Sequence, residues 1–95
     1  MIVVMAYDID TTEKEGYKRL RKILKVSRRY LFQVQKSVFK GEISIGKLNQ
    51  FKKEIYKIID PSKDKVVIYT VDNYGTLSGF EEEQLGKFSE ISNII

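Results

Sequence analysis

Among its 95 residues the chain has no cysteine, no histidine and no tryptophan, and it has a single proline. Without cysteine or histidine it can form neither a disulfide framework nor a Cys/His zinc site. Nucleophilic catalysis by a Ser-His-Asp or Cys-His arrangement is excluded, as is acid–base work by a pair of imidazoles. Chemistry within the chain is left to carboxylates, hydroxyls, Lys, Arg and Tyr, most naturally with a hard, oxygen-seeking cation. Long apolar runs are also missing. Met1 to Tyr7 is an apolar run of seven with no basic leader, too short for a membrane span or a secretory signal. The expected location is the cytoplasm, off any membrane.

What is present is a basic globular composition: 42% hydrophobic, 32% charged, net charge +4. The length fits one domain, residues 1–95, with a core at 1–72 and a C-terminal extension at 73–95. A domain this small buries only about 60–70% of the surface its unfolded chain exposes, and here no disulfide adds to that. A partner surface is therefore expected, a homodimer being the commonest kind.

The run from Met1 to Tyr7, rich in Val and Ile and ending at Asp8, reads as a strand apolar on both faces. Thr12 and Glu15 match a capping box, which predicts a helix over Thr12 to Val26 with Tyr17, Leu20, Ile23 and Leu24 on one face. Gly16 weakens that helix by roughly 1 kcal/mol relative to Ala. Arg28 to Ser44 is β-like and too long for one strand, so two strands joined near Gln35–Lys36 are expected. A second helix is predicted over Ile45 to Ile59, with Leu48, Phe51, Ile55 and Ile58 facing inward and Asp60-Pro61 stopping it. Lys65 to Asp72 reads as a further apolar strand. The order β-α-β-β-α-β plus a tail predicts an α+β, ferredoxin-like sandwich with both helices on one sheet face. The other face needs a cover, and a second copy of the same sheet would supply it.

The modest net charge conceals an asymmetry. Residues 13–40 hold ten basic and two acidic residues, whereas both flanking regions are net acidic. On the first helix Lys14, Lys18, Arg21, Lys22 and Lys25 share an arc of about 100°. Arg28 and Arg29 carry the charge onward. A solvated surface face is one reading. Acidic i,i+4 partners are scarce after Glu15, however, and an unneutralised stripe is better matched to a polyanion. Sequence-independent contact with nucleic-acid phosphates is the expectation, weakening with salt as counterions are released.

Asp8 and Asp10 stand where the first strand gives way to a loop. A rigid strand end can aim a carboxylate at Mg²⁺ while the loop admits water and substrate. The plainer alternative is an Asx turn before the helix, and on local spacing alone it is the stronger of the two.

Four segments together resemble the CRISPR-associated protein 2 family. They are Tyr7-Asp8-Ile9 at the end of a hydrophobic strand; the run Lys18-Arg19-Leu20-Arg21-Lys22; Gln33 to Phe39 leading into Gly41-Glu42; and Ile58 to Pro61 followed by Asp64 to Tyr69. The resemblance covers most of residues 1–72, and Gln35-Lys36-Ser37-Val38-Phe39 is its most specific part. It implies a ferredoxin-like homodimer whose C-terminal strand can extend the partner's sheet, and Ser92 to Ile95 is similar to such a tail strand. It implies work with the CRISPR integrase during spacer acquisition, with a duplex DNA prespacer held on a basic surface. It further implies Mg²⁺-dependent cleavage of RNA or double-stranded DNA, with Mn²⁺ as a substitute cation. Asp8 takes the catalytic and metal-ligand role, with Asp10 as a second metal candidate. Lys18, Arg19, Arg21, Lys22, Arg28 and Arg29 take phosphate contact. Ser37 and Phe39 fall near nucleic acid or the dimer seam, with core packing the stronger reading for Phe39. Two alternatives stay open: a non-catalytic DNA-binding adaptor and a toxin-like ribonuclease on the same fold.

Overall fold

Strand β1, Ile2–Asp8, alternates across the sheet: Val3 and Met5 are fully buried, while Ile2, Val4 and Ala6 on the opposite side are half-buried. In a computed structural model of the protein, residues 1–71 and 81–86 are described. After β1 come helix α1 (Lys14–Tyr30), strands β2 (Phe32–Gln35) and β3 (Val38–Glu42), helix α2 (Ile45–Ile58), and strands β4 (Lys65–Val71) and β5 (Glu81–Gly86). The strands form one antiparallel sheet in the order β2-β3-β1-β4-β5. The first four have the ferredoxin-like arrangement read from the element order, with β5 added at the β4 edge.

One apolar cluster ties Val3, Met5, Phe39, Val66 and Ile68 of the sheet to Ile23 and Val26 of α1 and Leu48, Phe51 and Ile55 of α2. The helices therefore share one face. On the other face the register sets Ile2 opposite Val71, Val4 opposite Tyr69 and Ala6 opposite Val67. Phe32, opposite Lys40, extends that apolar face to β2 and is 78% exposed.

Helix α1 departs from expectation at both ends. No side chain caps its N-terminus: the N-cap position is Glu13, one residue past Thr12, so the Thr12–Glu15 capping box does not form and Thr12 donates back to Asp10. At the other end the helix runs on through Arg28, Arg29 and Tyr30, which the residue pattern assigns to a strand. The core-facing period continues: Val26 and Ser27 are buried, and the Tyr30 ring packs 5.2 Å from that of Phe51. Tyr17, assigned to the apolar face, is exposed. Helix α2 matches its expected span, capped by Ser44, whose hydroxyl accepts the Lys47 N–H.

The hairpin turn falls at Lys36–Ser37, with a bulge between Gln33 and Gln35. Strand β5 is not expected from its residues, since three glutamates begin it. Glu83, opposite Ile68 on the helical side, forms an ion pair with Lys52 of α2. The tail strand expected at Ser92 to Ile95 lies outside the described residues.

Candidate functional site

The C-terminal end of β1 is held from both sides. The Tyr7 N–H donates to the Ser37 carbonyl (3.1 Å) and the Tyr7 hydroxyl to the Lys36 carbonyl (2.9 Å). On the other side Asp8 lies opposite Lys65. Asp8 itself is exposed, and strand alternation puts it on the same face as Ile2, Val4 and Ala6. A cleft of about 500 Å³ opens beside it, lined by Tyr7, Asp8, Ile9, Thr11, Leu20, Lys36 and Ser37. The fold thus joins two sequence candidates, Asp8 and Ser37, and adds Lys36. Burial pushes the Tyr7 phenol above its ordinary value, with the Arg28 guanidinium pulling the other way.

Asp10 has a different environment. One of its carboxylate oxygens accepts both the Thr12 N–H (2.9 Å) and the Thr12 hydroxyl (2.7 Å). These bonds, the backbone one first, hold its carboxyl below the ordinary carboxylate value. This is the Asx turn that stands as the alternative to a metal ligand. Asp60 repeats the motif with the N–H and hydroxyl of Ser62. Among the described residues no three carboxylates converge as a metal cluster.

Sequence reasoning missed Asp64, the residue just before β4. It is fully buried, and its carboxylate accepts the Asp10 N–H (3.0 Å), the Asp60 N–H (2.8 Å) and the Arg19 Nε–H (2.7 Å). Nothing in its local sequence marks it, because Asp10 and Arg19 reach it from distant parts of the chain.

The six basic residues singled out from sequence divide into three groups. Lys18, Arg21 and Lys22 are on α1 and point away from the core; Lys18 faces Glu15 at 3.6 Å across a well-solvated gap worth little. Arg21, Lys22 and the neighbouring Lys25 make no ion pair among the described residues. Arg28 reaches Gln33 of β2 (3.2 Å), and Arg29 pairs with Glu54 of α2 (2.8 Å). The Tyr30 hydroxyl also donates to Glu54, and these two partners hold the Glu54 carboxyl below its ordinary value. Arg19 alone turns inward, to Asp64. Phe39, fully buried with its ring 6.3 Å from that of Tyr7, belongs to the core.

The family model for CRISPR associated protein Cas2 matches residues 1–76. The chain is similar to the CRISPR-associated endoribonuclease Cas2 2 of Moorella thermoacetica, 48% identical over 69 residues, which are 73% of this chain and 76% of that protein. The CRISPR-associated endoribonuclease Cas2 of Thermotoga maritima is 42% identical over 73 residues, 77% of each chain. The CRISPR-associated endonuclease Cas2 of Halalkalibacterium halodurans is 38% identical over 73 residues, 77% of this chain and 76% of that one. Among solved structures, the Cas2 crystal structure from Streptococcus pyogenes aligns with a TM-score of 0.70 at 32% identity, covering 78% of this chain and 90% of that one.

Proposed function

The chain belongs to the CRISPR associated protein Cas2 family, and on that footing we propose that it is a basic homodimer that binds duplex nucleic acid along α1 and cuts phosphodiesters at a centre built on Asp8. In this reading it serves spacer acquisition, holding duplex DNA for the CRISPR integrase. The observation that carries the catalytic part is the placement of Asp8: an exposed carboxylate at a rigid strand end, beside an open cleft.

The donors around Asp8 fit Mg²⁺, or Mn²⁺ in its place. They are hard oxygens, and Mg²⁺ commonly keeps several waters while binding one or two carboxylates plus substrate phosphate. Asp8 would hold the cation; Asp10 suits it less, since one of its oxygens is committed to Thr12. When bound, the cation polarises the phosphate and lowers the pKa of its water. The chain's own part is orientation. Pairing of β1 with β3 and β4 fixes Asp8, while Lys36 and Ser37 line the side from which phosphate oxygens would approach.

The open sheet face supports the dimer. Ile2, Val4, Ala6, Phe32 and Val71 are exposed or half-buried there, and a second sheet stacked on them would remove that apolar surface from water. Asp8 shares this face, and a two-fold axis passing near it would bring two copies together and double the carboxylates available to a cation.

The test is Asp8→Asn, assayed on duplex DNA and on RNA with Mg²⁺. Cleavage is expected to be lost while duplex affinity stays within about twofold. Undiminished cleavage across a pH series, with contaminating nuclease excluded, would sink the assignment. A wild-type protein that binds duplex and never cuts would favour the non-catalytic adaptor. Sedimentation at micromolar concentration tests the dimer, and a stable monomer would refute it.

A further inference from the structure

We propose that Arg19 and Asp64 are positioning residues of the Asp8 centre, and that Arg19 is not a phosphate ligand. The proposal rests on the catalytic reading of Asp8 and deepens it.

Asp64 Oδ1 accepts the Asp10 N–H (3.0 Å) and an Nη2–H of Arg19 (3.3 Å). Its Oδ2 accepts the Arg19 Nε–H (2.7 Å) and the Asp60 N–H (2.8 Å). Four donors fill the acceptor capacity of a carboxylate. Arg19 Nη2 also reaches the Asp10 carbonyl (3.3 Å). One ion pair therefore holds both polar ends of residue 10, its N–H and its C=O. Between Asp10 and Asp8 stands Ile9, only 8% exposed in the core. The chain leaving β1 is thus anchored at two successive residues, and Asp8 is the last residue before the anchors. A catalytic carboxylate must keep its geometry to within about half an ångström, which a free loop end does not provide.

The same geometry withdraws Arg19 from the set of phosphate contacts. Its side chain is 16% exposed against 60% for its neighbour Lys18. Turning the fork outward to a phosphate would strip Asp64, wholly buried, of its charged partner. Breaking a buried pair costs more than a solvent-exposed contact returns.

Three readouts test this on the full chain with Arg19→Gln and the charge-keeping Arg19→Lys. In hydrogen exchange the Asp10 amide is expected to lose at least tenfold of its protection in both variants. In duplex titrations the log–log salt slope of Arg19→Gln is expected to match the wild type. In cleavage assays the half-saturating Mg²⁺ concentration is expected to rise at least threefold. Ile55→Val, or Ile55→Ala if needed to match the melting point, should leave the Mg²⁺ requirement in place, separating positioning from general loosening. A slope lower by about one unit in Arg19→Gln would return Arg19 to the phosphate set. Unchanged exchange at Asp10, or an unchanged Mg²⁺ requirement, would overturn the positioning role. If Asp8→Asn cleaves like wild type, the catalytic reading has failed, and exchange and slope still judge the anchor and the phosphate role on their own.

Discussion

A Cβ placed on Gly16, in the first turn of α1, would stand 1.9 Å from the carbonyl oxygen of Asp10. The helix start is pressed against the backbone of the loop that follows β1, and only a residue without a side chain permits that approach. Neither neighbour can yield easily, because Asp10 is itself held by Asp64 and Arg19.

Gly16→Ala therefore reverses the usual sign. On helix propensity alone the change would stabilise by roughly 1 kcal/mol. Here the collision is with backbone, and a net loss of about 2 kcal/mol is expected from overpacking. Thermal unfolding should show a midpoint about 10 °C lower, scaled for a domain of this size. A midpoint at or above wild type would contradict the close approach.

Asp64→Ala removes the acceptor shared by Asp10, Asp60 and Arg19 and leaves the guanidinium without its counter-charge. The expected loss is about 3 kcal/mol, the low end for a broken buried pair, because Arg19 keeps some access to water. Urea unfolding should report it as a lower midpoint with an unchanged slope. A change below about 0.5 kcal/mol, the range of ordinary surface substitutions, would show that the pair is not what holds this corner.

The outward stripe should read differently. Replacing Arg21, Lys22 and Lys25 together with Ala removes positive charge and no ion pair among the described residues. Duplex affinity is expected to fall, and the salt slope to flatten by up to about 0.9 unit for each phosphate left unneutralised. The melting point should stay within a few degrees. An unchanged slope would remove α1 from the interface.

Acid sensitivity follows from three depressed carboxyls: Asp10 held down by Thr12, Asp60 by Ser62, and Glu54 by Tyr30 and then Arg29. A pKa lower in the fold than in the unfolded chain adds stability that is complete above the unfolded value, about 4, and is lost as pH falls through the folded one. With no histidine in the chain, no side chain of ordinary pKa titrates between about pH 5 and 8. The melting point should be flat across that window and drop below about pH 4. Glu54→Gln should soften the drop while melting lower at neutral pH. A steep change between about pH 5 and 8 would contradict this.

The legible parts of the molecule are those written in local periodicity. The apolar run of β1, the 3.6-residue spacing of Leu48, Phe51 and Ile55, and the stop at Asp60-Pro61 each announce an element whose bounds hold closely. The extension of α1 through Arg28 and Arg29 to Tyr30 is not legible, because β-prone Tyr30 becomes helical through packing against Phe51 of α2. Strand β5 is hidden by its glutamates, which pair with the β4 edge and, at Glu83, with Lys52.

By itself the sequence determined what chemistry was open to this protein. Lacking Cys and His, it has essentially oxygen ligands to offer a hard cation, and Asp8 at the end of an apolar strand is a candidate whose catalytic role comes from the family resemblance rather than from its local spacing. Its concentration of positive charge in residues 13–40 is equally plain. Only the tertiary structure decided which charges face outward. Arg19 shares the phosphate role that the resemblance implies for Arg21, yet it lies off the basic arc and against a buried carboxylate 45 residues away. Local spacing places a side chain on a helix, but its partner is set by which distant segment the sheet brings beside it.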